Sequence, residues 1–233
     1  MKKVAILQSN YIPWRGYFDL INYVDEFIIY DDVQYTKRDW RNRNLIKTKN
    51  GLIWLTIPVE VKGNYLQKIK DTKIVDNFWQ KKHFKALKFN YSKSKYYDLI
   101  LSLFEPVYKK QAFKYLTDCN LIFLKLINKF LDINTKISSS SEYILEKDKN
   151  DRLISLLKQT GGTTYISGEK AKNYINPKLF NNNKIKLEWY NYNHLIRYNQ
   201  LWGNFENFVS VVDLLMNEGP NAKLFLGGFS NKT

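Results

Sequence analysis

Three of the chain's six arginines, Arg38, Arg41 and Arg43, crowd into residues 31–44, DDVQYTKRDWRNRN, behind two adjacent acids, Asp31 and Asp32. A guanidinium is a planar fork that can meet a phosphate or carboxylate with two hydrogen bonds at once. Trp40 stands between the arginines and offers a face for a base or a sugar. Gln34 and Asn42 complete this candidate binding cluster. The paired acids suit a general base, a metal ligand or an anchor for a ribose. A competing reading pairs the arginines with Asp31, Asp32 and Asp39 in a solvated loop. Taken as extended chain, Arg41 and Arg43 share a face with Asp39, while Arg38, Trp40 and Asn42 share the other.

A second cluster, QSNYIPWRGYF, contains Gln8, Asn10, Tyr11, Trp14, Arg15, Gly16 and Tyr17. A loop running from a strand into a helix presents free backbone N–H groups to an anion, and Gly16 permits a close backbone approach. The layout is similar to the nucleotidylyltransferase-type loop, with Tyr17 where that loop has a histidine. Ser167 and Gly168 in YISGEKAKNY form a third cluster. His83 and His194 are the only histidines. His83, the best group for titration near neutrality, joins Asp31 and Asp32 as a candidate catalytic base. His194, in the polar aromatic run YNYNHLIRYNQ, is a candidate for substrate binding. Cys119 lies on an apolar helical pattern and is expected to be buried. The serine run 138–141 lacks a glycine-flanked nucleophile, which argues against a serine hydrolase. No Walker or dinucleotide fingerprint occurs, and no metal set is expected.

The formal net charge is +15, with 37 basic and 22 acidic residues. That charge suits phosphorylated ligands or nucleic acid. The basic residues are mostly lysines spread along an asparagine-rich chain, a pattern that an AT-rich genome produces unaided. Arginine is not favoured by that bias, so its clustering carries more information than the total. One cysteine rules out a disulfide framework within the chain and fits a reducing cytoplasm. No targeting signal and no apolar run of membrane-spanning length is read.

The elements that must position these groups follow from periodicity. KVAILQ and DEFIIYDD read as buried strands flanking the short helix GYFDLINYV, a βαβ unit. LIWLTIPV reads as a third strand and KIKDTKIV as another. Helical spacing runs from FWQKKHFKALKF through YYDLILSLFEPVY, where Pro106 should end or kink the helix, to LIFLKLINKFLDI. SSSSEY reads as a capping loop, and DRLISLLKQT as a helix stopped by Gly161 and Gly162. TTYISG and IKLEWYNY are strands, AKNYI a short helix, and VSVVDLLMNEG a last helix ended by Gly219. The expected fold is α/β, a mostly parallel Rossmann-like sheet within a single domain over 1–233, whose helical middle, 76–160, forms a cap or subdomain. The three polar clusters then fall at carboxyl ends of strands, where open α/β sheets bind ligands.

ILQSNYIPWRGYFDLI, DEFIIYDDVQYTKRDWRNRNLIKT, GLIWLTIPV, the YISG and AKNYI pair, and FVSVVDLLMNEG together resemble the WbqC-like protein family, in order over residues 4–219. One departure is Leu195, where the family has a proline after the histidine. The resemblance implies a cytoplasmic enzyme of bacterial O-antigen and surface-glycan biosynthesis. Its reaction would be a transferase step that acylates or aminoacylates the amine of a nucleotide-linked amino sugar. The arginines would then bind the diphosphate, with ATP, an activated acyl donor or an aminoacyl-tRNA as co-reactant. The alternatives are a non-catalytic sugar-nucleotide-binding or assembly module, and a tRNA or other nucleic-acid binder.

Overall fold

The computed structural model describes residues 1–227. Five parallel strands form the central sheet: β1 (Lys3–Leu7), β2 (Glu26–Ile29), β5 (Lys136–Ser139), β6 (Thr164–Gly168) and β7 (Lys186–Tyr190). Their spatial order is β5-β2-β1-β6-β7. Numbered along the chain as sheet members, this is the third-second-first-fourth-fifth order of a Rossmann-type half, with the order reversing between β1 and β6. β3 (Arg43–Thr48) and β4 (Gly51–Thr56) are not part of that sheet. They pair antiparallel as a separate hairpin.

Strand alternation sorts the apolar residues onto two faces. Ala5, Phe27, Ile29 and Ile166 face one cluster, and Val4, Ile6, Ile28 and Tyr165 face the other. The second face is covered by α5 (Lys149–Thr160), through Leu153, Ile154, Leu156 and Leu157, and by Phe180 of α6 (Pro177–Asn182). The first face receives α1 (Arg15–Tyr23) and α7 (Val211–Glu218). It also receives the helical middle: α2 (Phe78–Asn90), α3 (Tyr97–Lys110) and α4 (Leu116–Phe130). Phe18, Leu20 and Ile21 of α1 are fully buried in that cluster together with Trp79, Phe104 and Phe123 of the middle helices. Each such side chain contributes about 2 kcal/mol by leaving water. Cys119 is fully buried on α4.

Several local expectations are corrected. LIWLTIPV belongs to the hairpin. KIKDTKIV forms no strand; it holds a 3-10 turn over Ile69–Asp71 and isolated bridges, because Lys68, Lys73 and Ile74 each meet a different partner. SSSSEY begins inside β5, and Ser139 then caps a 3-10 turn with a capping box to Glu142. AKNYI is replaced by a 3-10 turn over Glu169–Asn173. Helix α3 does not end at Pro106 but runs to Lys110. A mid-helix proline removes one hydrogen bond, and burial of Phe104, Val107 and Tyr108 holds the turns on either side. Among the described residues, no helix is long and apolar enough to cross a membrane.

Candidate functional site

The strand order directs attention to the loops beyond β1, β2, β6 and β7. Beyond β1, Ser9 is buried, with Gln8 and Asn10 half-buried. Beyond β2, Asp31 and Asp32 diverge because consecutive residues of extended chain point to opposite sides. Asp31 turns toward α4. Its carboxylate accepts from the Ser9 N–H at 2.8 Å and the Thr117 hydroxyl at 2.7 Å. Burial pushes this carboxyl above its ordinary range, against the pull of those donors and of Arg41. Asp32 turns toward β5 and accepts from the Ser140 and Ser141 hydroxyls, both at 2.8 Å, and from Lys70 at 2.5 Å. Burial works to raise this group too, yet Lys70 and the two serines prevail and hold it below its ordinary value. Both acids fasten loops.

The arginine segment does not run extended. Arg38 takes a left-handed conformation (φ 57°), and the turns after it break the alternation, so the expected sharing of faces does not hold. Arg41 reaches back to the sheet, where it donates to Asn10 Oδ1 and lies 3.7 Å from Asp39. Arg43 instead lies over the Trp54 ring at 4.0 Å and donates to the Arg38 carbonyl. Trp40 packs beside Trp54 with centroids 5.4 Å apart. Asn42 is buried, accepting from the Tyr35 hydroxyl and donating to the Ile57 carbonyl. Gln34 is exposed and donates to the Tyr65 carbonyl. Of the basic cluster, only Arg41 is held by a residue of the β1 loop.

The opening of α1 is also built differently from the expected anion cradle. The Trp14 indole lies over Gly16, where a Cβ would fall 2.3 Å from the ring. The missing side chain therefore admits tryptophan, which packs on Tyr192 and Phe208. Arg15 is buried, donating to the Ile196 carbonyl at 2.5 Å and to Asn207 at 3.0 Å. Tyr17 donates to the Gln8 carbonyl at 2.9 Å, and burial raises its phenol well above the ordinary value. Asp31, Arg41 and Tyr192 all act electrostatically on Tyr17, which links the β1–β2 end of the site to the loop beyond β7. Beyond β6, Ser167 is buried and Gly168 opens the 3-10 turn.

The two histidines have separate fates. His83 is 6% exposed and accepts from the Tyr11 hydroxyl at 3.0 Å, while Tyr11 meets the Tyr108 hydroxyl at 2.6 Å. Burial lowers its pKa to about 4, against the pull of a bond to the Thr56 backbone, so at neutral pH it is an uncharged member of an aromatic cluster with Tyr11 and Trp79. His194 lies in the loop beyond β7 with its side chain 38% exposed. Its Nε2 is 2.7 Å from Oδ2 of the fully buried Asp19, which also accepts from the Tyr190 hydroxyl at 2.7 Å. An ionised carboxylate only accepts, so Nε2 carries the proton in this contact, and Nδ1 is the nitrogen available for proton exchange. Gly227 packs against the Cδ2–Nε2 edge of the ring: a Cβ there would fall 1.8 Å from Cδ2 and 2.5 Å from Nε2.

Beside His194 lies a polar cavity of about 190 Å³, lined by Glu188, Tyr190 and Asn191 with Tyr23 and Ile166 behind. That volume is well below the 300 Å³ or more typical of whole-ligand pockets and suits a small polar group. Glu188 is paired with Lys186 at 2.6 Å. Asp19, Tyr190, Glu188 and Thr117 were not picked out by sequence reasoning. The available signal was Asp19 itself, a carboxylate amid the apolar run of α1. Among the described residues, no group of three or more His, Cys, Asp or Glu is placed to hold a metal.

The sequence matches the WbqC-like protein family over residues 8–224. It is also 49% identical over 226 residues to an uncharacterised protein of Mycobacterium tuberculosis, covering 97% of this chain and 98% of that one. No solved structure matches it.

Proposed function

The chain belongs to the WbqC-like protein family, and from the geometry around Arg41 and His194 we propose that it is a group-transfer enzyme of bacterial surface-glycan biosynthesis. It acylates or aminoacylates the amine of a nucleotide-linked amino sugar. The observation that carries this reading is the His194–Asp19–Tyr190 arrangement, an exposed imidazole oriented by a buried carboxylate beside a small polar cavity. Arg41, steadied by Asn10 and Asp39, faces the diphosphate. His194 Nδ1 takes the proton of the sugar ammonium, and Asp19 positions the ring. The freed amine attacks the donor carbonyl. A carbon–nitrogen bond forms and the bond to the donor's leaving group breaks. The nitrogen sheds its second proton as the tetrahedral intermediate collapses, and of the two protons released one goes to the leaving group and the other to water. The donor is an activated acid, either an adenylate made with ATP or an ester such as an aminoacyl-tRNA. The cavity beside His194 takes the small group being transferred.

The test is a mass-spectrometric screen of the purified protein with nucleotide-linked amino sugars, supplied with ATP and amino acids or with charged tRNA. A mass gain on an amine-bearing sugar is expected. No gain on any of them overturns the assignment. Arg41→Ala is expected to abolish turnover with little change in melting temperature, whereas an equal collapse of stability would make Arg41 a structural residue. A second reading, a sugar-nucleotide-binding module without chemistry, is favoured by the engagement of both Asp31 and Asp32 in holding loops. It predicts that calorimetry detects sugar-nucleotide binding where the screen finds no product.

A further inference from the structure

On the far side of the helical layer, a groove of about 1020 Å³ runs beside α2 and α3. Lys81, Lys85 and Lys88 reach it from α2, and Lys49, Lys93 and Lys109 complete its rim. All six lysines are exposed. Steps of four and three residues along a helix put the α2 lysines on one stripe, rising about 6 Å and then about 4.5 Å. No carboxylate lines the groove. Lys109 pairs with Glu105 on its own helix; the other five have no salt-bridge partner among the described residues. Glu105 is the acid beside this rim, pairing with Lys109 and acting electrostatically on Lys88. Codon bias accounts for many lysines but not for a groove lining without a carboxylate.

Aromatic rings interrupt this rim. Phe89 is 80% exposed, Trp202 is half-buried with its indole N–H on the Asn90 carbonyl, and Phe84 lies in the floor. We propose that this groove binds single-stranded nucleic acid. Ammonium groups without partners suit a phosphate backbone, and exposed aromatic faces beside them suit unpaired bases. The groove is concave, so a flat anionic bilayer would not fill it, and a duplex would keep its bases from the rings. Its floor includes Tyr108, whose hydroxyl meets Tyr11 of the β1 loop at 2.6 Å, so the groove abuts the layer that carries the candidate site. The inference does not rest on the group-transfer reading, since binding is measured without turnover.

The experiment is fluorescence anisotropy of the full chain with a labelled single-stranded RNA of about a dozen nucleotides, across a salt series. Binding that weakens with salt is expected. The variant Lys85→Ala/Lys88→Ala/Lys93→Ala should flatten the log–log salt dependence by about 2, since each lost phosphate contact on a single strand removes about 0.7. Phe89→Leu should weaken binding about tenfold with the salt slope unchanged, the signature of a stacked base. These side chains are exposed, so the variants are expected to fold, and their circular dichroism checks it. Absence of binding at low salt overturns the proposal. So does binding that ignores the triple substitution, an equal affinity for the annealed duplex, or full competition by a polyglutamate peptide.

Discussion

His83 and His194 both sit beside tyrosines, yet one is sealed in the helical layer and the other is presented at the edge of the sheet. The difference lies in the third group. His83 has the Tyr11 hydroxyl and the Thr56 backbone for company, and burial keeps the ring neutral against the pull of the Thr56 bond. His194 has a buried carboxylate, which holds Nε2 and orients the ring while the side chain stays exposed. An imidazole becomes a candidate for proton transfer through its neighbours and its exposure, and its identity alone says little.

The largest effect that would sharpen this contrast is on turnover. His194→Gln should lower the rate of the proposed transfer by about 10²–10⁴-fold, the typical worth of a general base, with little loss of melting temperature. His83→Gln should leave the rate per folded molecule near wild type. Reversed outcomes in steady-state assays would break the contrast.

The next effect is on stability in acid. The folded pKa of His83, about 4, is depressed from an ordinary 6.5. The unfolded chain therefore binds the extra proton first as pH falls. The stability associated with the neutral ring is fully present above about 6.5 and is lost progressively down to about 4, a change of about 3 kcal/mol. Asp31 and Asp213, both raised by burial, act in the opposite sense at the acidic end, so the difference between wild type and His83→Gln isolates the histidine. Urea titrations across that window should show a flatter pH dependence for the variant. Parallel curves would mean that His83 is charged in the fold.

The smallest effect concerns the hydroxyl that bridges the two rings. Tyr11→Phe removes the donor to His83 and a partner of Tyr108, and should cost about 1 kcal/mol, or a few degrees in melting temperature. Differential scanning calorimetry would detect it. No shift would mean that the Tyr11 hydroxyl contributes nothing net.

Much of the fold was legible because strands β1, β2, β6 and β7 are short apolar runs that end at polar turns, and because α1, the middle helices α2 to α4, α5 and α7 show recognisable helical spacing; the short α6 was not read. β5 was not legible. Its sequence, KISS, is polar, and it becomes a strand only because β2 pairs with it along Lys136–Ser139. The hairpin strand β4 looked like a sheet strand because a local apolar pattern does not say which partner a strand will find. Of the candidate site, Arg41, Asn10, Gln8, Tyr17 and Asp31 come together, while Arg38, Trp40 and Arg43 gather on the hairpin around Trp54.

Residue types and spacing by themselves determined the α/β class, the βαβ opening, the burial of Cys119 and the unusual arginine cluster. All of these depend on composition or on periodicity within one element. Only the tertiary structure decided which arginine reaches the sheet, that Gly16 makes room for Trp14, and that Asp19 lies beneath His194. Those facts join residues up to 175 positions apart, and pairing at such separations is set by how the layers pack. The spacing along the chain carries no record of it.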